Sequence, residues 1–372
     1  MRFTGTLVVA VVTIVSFCPL ALGQPWTIQQ LTNNDYWDLY PVISGPNIVW
    51  YMDDGRPALT GCELFLYNGS TTVQITHNNR EDRDYSISER YLVWSADADD
   101  TDPFQDEEIF RYDLTSGVTE QLTDDDISDW TPRASGSNVV WFTVEGFDRN
   151  VYLYDGSRTS YIAPGIYPTI FGSIMAWSNP FGVWYRDIHT DVDIMPAGGA
   201  GGRYPYVDGS KIVWEGWDGG DWEIFLHDID TGITQQLTDN RVDDRSARVS
   251  GSNVVWHSGD FRNLDGDIYF YDGVTSRKIG THGADPQIDG SNVVWHARDG
   301  GALQVFYFDG ARTYQITDNG LENSMPSIDN LTIVWQGSNG HNMEIFRATV
   351  PEPASPLLFL GAGVAILRRV RP

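Results

Sequence analysis

Gly136-Ser137-Asn138-Val139-Val140-Trp141 is the stretch that decides the fold of this chain of 372 residues. The same six residues return at Gly251–Trp256 and at Gly290–Trp295. Weaker copies end in the same tryptophan at Trp50, Trp94, Trp177, Trp214 and Trp335. The eight copies are spaced by 44, 47, 36, 37, 42, 39 and 40 residues. A period of about 40 residues indicates a repeat architecture.

Each repeat predicts four short strands. In the sixth repeat they are Ala247–Val249, Val254–Trp256, Asp267–Asp272 and Ser276–Ile279, which are apolar or aromatic runs bounded by turn residues. Because the Val-Val-Trp run does not alternate, we expect the second strand to be covered on both faces. Four-stranded sheets at this period predict an all-β, eight-bladed β-propeller. Seven blades are the alternative, if the divergent fourth repeat (Pro168–Pro196) is degenerate.

The two ends of the repeat region are complementary. Trp26–Thr32 has the sequence of a fourth strand, like Glu120–Thr123 and Gln235–Thr238. The last repeat runs through Glu344–Arg347 and then lacks its fourth strand. We therefore expect the N-terminal strand to complete the last blade and close the ring, which removes two open sheet edges.

Both termini carry targeting features. Residues 1–23 contain one arginine, the apolar run Leu7–Phe17 and a small-residue end, so they predict a signal peptide cleaved between Gly23 and Gln24. The propeller domain then covers residues 24–349. Its single cysteine, Cys62, cannot form an internal disulfide.

Residues 350–372 have three parts in a fixed order. Pro351-Glu352-Pro353 is followed by the apolar run Pro356–Leu367 and by a basic end that includes Arg368 and Arg369. The basic end is expected to stay in the cytoplasm. A run of 12 residues is more typical of a core helix than of a full membrane span, so the order of the parts decides the interpretation.

The repeats resemble those of TolB-like propellers, which occur in bacterial exported and surface proteins. The resemblance is carried by Glu108–Phe110, Gln121–Asp124 and Asn138–Trp141, with copies in most other repeats. The fourth repeat departs from this pattern, because Val183–Asp187 and Asp193–Pro196 replace its third and fourth strands. The resemblance is specific for the fold and says little about activity.

The C-terminal tail resembles the PEP-CTERM sorting signal. This implies an exosortase-type processing enzyme as a partner, cleavage near Pro351-Glu352-Pro353 and a transient membrane tether. It also implies export to the cell envelope, cell surface or extracellular matrix of a Gram-negative-type bacterium that makes exopolysaccharide.

The formal net charge of −27 excludes a nucleic-acid partner and favours the attraction of cations. In an up-and-down blade the long loops emerge on one face, and here they carry most of the acidic residues. Exposed aromatic residues are expected among them, so this face predicts a binding surface for a glycan or a surface protein, because aromatic faces stack on sugars. Its candidate residues are Trp37, Trp130, Trp217 and Trp222.

One candidate metal site lies in the second repeat. Its possible calcium ligands are Asp97, Asp99, Asp102, Glu108 and Asp124. The spacing is not that of an EF-hand, because Asp102 stands where that loop needs glycine. A solvated acidic loop is the alternative, and no other cofactor is predicted.

The histidines raise an enzymatic alternative. His257 and His296 follow the repeated tryptophan in consecutive repeats. Some TolB-like propellers are polysaccharide lyases with a histidine-based metal site, so the resemblance makes these two residues the catalytic candidates. The sequence contains no serine-hydrolase elbow, no HExxH and no sialidase-type Asp box. It therefore favours an exported, non-catalytic propeller that binds a glycan or protein partner.

Overall fold

The computed structural model describes residues 26–53, 62–78, 81–97, 106–260 and 266–350. All regular elements in these ranges are β-strands, and none of these residues forms a helix that is long and apolar enough to cross a membrane. Thr27–Val350 forms one compact unit. The predicted processing residues Gly23, Gln24, Pro351, Glu352, Pro353, Arg368 and Arg369 lie outside the described ranges.

The strands pair in chain order into small antiparallel sheets. Sheet 1 contains β2 (Trp37–Ser44), β3 (Asn47–Asp53), β4 (Cys62–Tyr67) and β5 (Thr72–Gln74). Sheet 2 contains β6 (Asp82–Ile87), β7 (Tyr91–Asp97), β8 (Glu107–Asp113) and β9 (Val118–Gln121). Sheet 3 contains β10 (Ser128–Ser135), β11 (Asn138–Glu145), β12 (Asp148–Tyr154) and β13 (Thr159–Pro164). Sheet 4 contains β14 (Ile166–Phe171), β15 (Ile174–Asn179) and β16 (Gly182–Asp187).

Sheet 5 contains β17 (Arg203–Asp208), β18 (Lys211–Trp217), β19 (Trp222–Asp228) and β20 (Ile233–Gln236). The next seven strands form one continuous sheet, called the double sheet here. It contains β21 (Asp244–Ser250), β22 (Asn253–Ser258), β23 (Gly266–Tyr271), β24 (Ser276–Asp289), β25 (Asn292–Asp299), β26 (Ala302–Phe308) and β27 (Thr313–Gln315). The terminal sheet joins β28 (Asn323–Asp329), β29 (Thr332–Ser338) and β30 (Met343–Thr349) to β1 (Thr27–Gln30).

Two sheets depart from the four-stranded pattern. In the double sheet, the 14-residue strand β24 serves as the fourth strand of the sixth repeat and then as the first strand of the seventh. In sheet 4, the divergent repeat has no fourth strand, and Ile194 forms only an isolated bridge to Tyr185. This is the repeat in which Asp193–Pro196 replaces the usual Gln-Leu-Thr sequence.

The terminal sheet contains the strand pairing expected for Trp26–Thr32. β1 runs antiparallel to β30, with Ile28 opposite Ala348 and Gln29 opposite Arg347. The Arg347 Nε donates a hydrogen bond of 2.9 Å to the Gln29 side chain. The N-terminal segment thus occupies the position of a fourth strand in the last repeat.

The repeated tryptophans form the core. Val139, Val140 and Trp141 are at most 1% exposed, which confirms that the second strand is covered on both faces. Trp141 stacks on Tyr152 of the third strand with 6.0 Å between ring centroids, and its indole donates to Asp129 of the first strand at 3.0 Å. The same stacking recurs in the pairs Trp50–Phe65, Trp94–Phe110, Trp214–Phe225, Trp256–Tyr269, Trp295–Phe306 and Trp335–Phe346.

The first strand of each repeat contains a β-bulge. At each bulge a non-glycine residue has a positive φ, and these residues are Tyr40, Asp84, Thr131, Tyr167, Tyr204, Ser246, Asp285 and Met325. Such a φ is uncommon for residues other than glycine and is most strained for the β-branched Thr131, whereas aspartates such as Asp84 and Asp285 tolerate it better. A bulge bends its strand. Because the bend recurs at one position in all the repeats, we attribute it to the fold.

The first strands lie around a common opening. Their far ends surround a cavity of about 520 Å³. The wall includes Ser44 and Gly45 of sheet 1, Glu89 after β6 of sheet 2 and Asp208 of sheet 5, together with Asp329 of the terminal sheet. We call the line around which the first strands are arranged the axis. Small antiparallel sheets whose first strands surround one axis are the architecture of a β-propeller.

Candidate functional site

A second cavity, of about 450 Å³, involves sheets 1, 2 and 3, and we call it the axial pocket. Two of the bulge residues, Tyr40 and Asp84, belong to its wall. The wall combines the aromatic rings of Tyr40, Tyr51, Tyr85 and Trp130 with two arginines, Arg83 and Arg133, and three acidic residues, Glu81, Asp82 and Asp84. Concave sites with a few aromatic and polar groups are where small ligands usually bind.

Three tyrosines form the aromatic part of the axial pocket. Tyr40 stacks on Tyr51 with 5.4 Å between ring centroids, and Tyr51 meets the ring of Tyr85 edge-on at 6.4 Å. The Tyr85 hydroxyl donates a hydrogen bond to the Tyr40 carbonyl oxygen. Burial raises the pKa of both Tyr51 and Tyr85, so their hydroxyls stay neutral and can donate hydrogen bonds at physiological pH.

The two arginines of the axial pocket differ in their partners. Arg83 forms ion pairs with Glu81 and, at 3.5 Å, with Glu107. Arg133 forms no ion pair within the described residues, and its Nη1 donates instead to the Pro132 carbonyl oxygen at 2.9 Å. The Arg133 side chain is solvent-exposed, but surrounding protein atoms desolvate it and lower its pKa, whereas the negative charge of Asp84 raises the pKa and the positive charge of Arg248 lowers it. Arg133 thus forms no direct ion pair within the described residues, although the carboxylates of Glu81, Asp82 and Asp84 line the same pocket.

The four tryptophans predicted for the binding face do not form one cluster. Trp130 is half-buried and lines the axial pocket, whereas Trp37 is 52% exposed at the start of β2. Trp217 and Trp222 lie on sheet 5, where their rings meet edge-on at 5.4 Å. The Arg203 guanidinium carbon lies 3.4 Å from the centroid of Trp222, a cation–π contact. Sheet 5 thus carries a second aromatic patch.

The structure separates the candidate calcium ligands of the second repeat. Asp97 is opposite Glu107, and Glu108 is opposite Ala96, so the side chains of Asp97 and Glu108 point to opposite faces of sheet 2. Glu108 lies in the buried part of β8 and accepts a 2.8 Å hydrogen bond from the Asp125 amide. Asp124 is exposed, and Asp99 and Asp102 lie outside the described ranges.

Glu108 belongs to a repeated arrangement that sequence reasoning missed, which we call the boundary trio. It consists of a threonine after the fourth strand, a glutamate in the third strand and an aspartate in the first strand of the next repeat. Burial raises the pKa of Glu108 to about 7 and that of Asp129 to about 8. The Thr123 hydroxyl interacts with both carboxyls and lowers the pKa of each, and it accepts a hydrogen bond of 2.8 Å from the Ile109 amide.

The boundary trio occurs at five boundaries between repeats. At four of them it contains both acidic residues, and at the fifth it contains neither. The acidic trios are Thr32–Glu344–Asp38, Thr76–Glu63–Asp82, Thr123–Glu108–Asp129 and Thr238–Glu223–Asp244. At the fifth boundary, Gln304 and Asn323 accompany Thr317 in the same places. The sequence signal that could have found the trio is the constant spacing of six residues between the threonine and the aspartate or asparagine.

The two candidate catalytic histidines are buried side chains of the double sheet. His257 is 1% exposed and His296 is 2% exposed, and burial lowers the pKa of both. His296 Nε2 lies 3.8 Å from the Asp285 carboxylate, and the ring nitrogens of His257 have no hydrogen-bond partner in the described chain. Neither histidine joins a group of three possible metal ligands there. Such a group is formed instead by Asp218, Glu223 and Asp239.

Comparison with known proteins identifies the fold. No protein-family model matches the sequence, and no curated protein matches it either. The β-propeller domain of the trilobed protease from Pyrococcus furiosus aligns with 85% of this chain and 96% of its own, with a TM-score of 0.53 and 11% identity. The oligogalacturonate lyase from Vibrio parahaemolyticus aligns with 87% of this chain and 94% of its own, with a TM-score of 0.53 and 14% identity.

A third similar structure is the acylaminoacyl peptidase from Pyrococcus horikoshii, with a TM-score of 0.55 and 11% identity. The alignment covers 85% of this chain but only 52% of the peptidase, so this chain spans about half of that enzyme's length. Identities this low establish the fold alone. The chain is an all-β propeller, consistent with the TolB-like repeats of its sequence.

Proposed function

We propose that this chain is an exported, non-catalytic, eight-bladed β-propeller that binds an acidic glycan of the cell surface or matrix in its axial pocket. The observation that carries the proposal is Arg133, a guanidinium that forms no ion pair within the described residues and shares the pocket with three tyrosines, Trp130 and Asp84. Arginine presents a planar fork that matches a carboxylate, and aromatic faces stack on sugars. A uronate sugar has both a carboxylate for the arginine and a sugar face for the aromatic rings.

The blade count is supported by the repeated bulge. One bulge residue with positive φ belongs to each of eight first strands, when the double sheet is counted as two repeats. Ring closure is supported by the turns after these strands. The Asp208 carboxylate accepts a 2.6 Å hydrogen bond from the Gly251 amide of the next repeat. The Asp329 carboxylate accepts one from the Gly45 amide, which links the last repeat to the first.

Binding to oligogalacturonate, with a neutral glucan of equal length as the comparison, tests the glycan proposal. Loss of a charge-assisted hydrogen bond typically costs about 1.5–3 kcal/mol, so Arg133→Gln is expected to weaken binding by roughly tenfold or more. Arg277→Gln is the charge-matched control, because Arg277 lies outside the axial pocket and forms a 2.5 Å hydrogen bond to the Gly310 carbonyl oxygen. Equal affinity for both glycans, or equal loss in both variants, contradicts the proposal.

The same probe tests the enzymatic alternative. A lyase would convert oligogalacturonate to unsaturated products, which absorb in the ultraviolet, with or without added metal. In a lyase, His257→Gln or His296→Gln would abolish the signal. We prefer the binding role because the described residues do not bring these two histidines together with a third ligand.

Export and surface location are part of the proposal and rest on the sequence features of the two termini. The signal peptide would direct export, and an exosortase-type enzyme would be the processing partner of residues 350–372. The transient tether would hold the propeller at the membrane until cleavage. Fractionation of the native host, with antibody against the propeller, tests the location, and retention in the cytoplasm would exclude it.

A further inference from the structure

Three carboxylates meet at the loop side of sheet 5. Asp218 belongs to the β18–β19 loop, Glu223 to β19 and Asp239 to the connection from β20 to β21. One oxygen from each of the three carboxylates lies within 4.8 Å of the other two. We call these residues the acid cluster.

In the acid cluster, backbone amides donate hydrogen bonds to one oxygen of Glu223 and to one oxygen of Asp218. Glu223 is fully buried, and its Oε1 accepts a 2.8 Å hydrogen bond from the Asn240 amide. Its Oε2 is buried without a hydrogen-bond partner. Asp218 Oδ1 accepts hydrogen bonds from the amides of Gly220 at 2.7 Å and Asp221 at 3.2 Å. A buried carboxylate oxygen without a partner is unfavourable unless a proton or a cation compensates it. Glu344 Oε2 of the terminal sheet is buried without a partner as well, so what distinguishes sheet 5 is the aspartate oxygens around Glu223.

The terminal sheet contains the same loop with a different composition. There Asn339 Oδ1 accepts hydrogen bonds from the amides of His341 at 2.8 Å and Asn342 at 3.1 Å. The Asn339 Nδ2 then donates a hydrogen bond of 3.0 Å to Glu344 Oε1. By position and by hydrogen bonds, Asn339 corresponds to Asp218 and Glu344 corresponds to Glu223. The carboxylate of Asp218 therefore replaces an amide group that donates to the buried glutamate.

The exchange extends to the whole loop region. The terminal sheet has asparagine at three positions where sheet 5 has aspartate, and the pairs are Asn339 and Asp218, Asn342 and Asp221, and Asn33 and Asp239. The buried glutamate is kept in both sheets. The terminal sheet thus has one formal negative charge at these four positions, and sheet 5 has four.

Asp221, which lies beside the three residues of the acid cluster, adds a further carboxylate oxygen. In the terminal sheet, Asn342 Nδ2 donates to the carbonyl oxygens of Asn34 at 2.8 Å and Tyr36 at 2.5 Å. In sheet 5, the corresponding Asp221 Oδ2 is buried without a hydrogen-bond partner. Where the terminal sheet uses amide donors, sheet 5 offers oxygen atoms only, and a bound cation would compensate them.

We infer that Asp218, Glu223 and Asp239 form a divalent-cation site, with Asp221 beside it, and that Ca²⁺ is the ion that fits best. Calcium takes six to eight oxygen ligands in flexible geometry, and carboxylates from two loops provide them. Extracellular modules bind it with a Kd of about 10⁻⁴–10⁻³ M. The site would also fix the loop between Trp217 and Trp222. This inference does not depend on the glycan proposal.

The terminal sheet supplies the test variant. The triple substitution D218N/D221N/D239N reproduces the composition of the terminal sheet, so it is expected to fold. The control is D126N/D148N/D230N, which removes the same charge from three exposed positions. Melting is measured in calcium chloride and in sodium chloride of equal ionic strength. With calcium at about ten times its Kd, the wild-type melting temperature is expected to rise by roughly 3 °C through mass action.

The control variant should keep this rise, and the triple variant should lose it. No calcium-specific rise in the wild type would overturn the inference, and so would a rise retained in the triple variant or lost in both variants. If the triple variant does not fold, calorimetric titration of D239N with calcium chloride replaces it. Its affinity must then be weaker than that of the wild type by about tenfold, as expected when a site loses one charged ligand.

Discussion

Substitution of Asp129 by asparagine is expected to stabilise the propeller at neutral pH. Asp129 is 2% exposed, and burial and then the negative charge of Glu108 raise its pKa to about 8. Asparagine already occupies the corresponding position at another sheet boundary, where Trp335 donates a 3.1 Å hydrogen bond to Asn323. The shape and the tryptophan hydrogen bond can therefore be kept while the charge is removed.

The magnitude follows from proton linkage. The native state holds a proton on Asp129 up to a pH of about 8, whereas the unfolded chain releases it near pH 3.8, the ordinary pKa of an aspartate. The stabilisation is therefore complete below about pH 4 and is lost as the pH rises to about 8. One such proton changes the free energy of unfolding by about 1.4 kcal/mol per pH unit. Counting one proton for the Glu108–Asp129 pair, the loss between pH 5.5 and 7.5 is about 2.7 kcal/mol.

Urea unfolding at pH 5.5, 6.5 and 7.5, at constant ionic strength, measures the effect. The free energy of unfolding of the wild type should fall with rising pH. For D129N the fall should be smaller by about 1.4 kcal/mol per pH unit. The reciprocal variant N323D places an acid at the neutral boundary, and it should gain a pH dependence of the same sign. D129N with the same pH dependence as the wild type, or with lower stability at pH 7.5, would refute this reasoning.

Four further predictions have direct tests. Deletion of residues 25–32 should lower the melting temperature strongly and promote aggregation through the exposed edge of β30, and an unchanged melting curve would count against ring closure. Protein released into the matrix of the native host should end near residue 350 by intact mass, and this end should disappear when Glu352 or the pair Arg368 and Arg369 is replaced. Recovery of an end at Pro372 would refute processing. Arg133→Gln should weaken acidic-glycan binding in the assay described above, and D218N/D221N/D239N should abolish the calcium-specific stabilisation.

The periodic parts of the fold were predictable from the sequence. The run Val139–Trp141 recurs with turn residues on both sides. A continuous apolar run of this kind predicts a buried strand from the local sequence alone. The pairing of β1 with β30 was also predictable, because an unpaired fourth-strand sequence at one end matched a missing strand at the other. Both predictions can be made without knowing which side chains of neighbouring sheets are in contact.

The roles of the acidic residues were not predictable in the same way. The sequence makes Glu108 a possible calcium ligand, yet it lies in β8 and pairs with Asp129, 21 residues later in the chain. Local sequence cannot distinguish a solvated carboxylate from a buried one when its partners belong to another sheet. The bulge residues escaped prediction for a related reason, because a tyrosine such as Tyr40 carries no local signal for positive φ.

The internal repeats allow structural and functional residues to be separated without any comparison to other proteins. A feature that occurs in most repeats, such as the stacked tryptophan or the boundary trio, has to serve the packing that all blades share. A feature confined to one place has to be explained by that place. Within the described residues, the acid cluster of sheet 5 is of this second kind, whereas Arg133 has a counterpart in Arg248, whose Nη1 donates in the same way to the Ala247 carbonyl oxygen. Because asparagine occupies the corresponding positions of the terminal sheet, packing does not require the aspartates Asp218 and Asp239, and the melting experiment in calcium chloride tests whether ligand binding does.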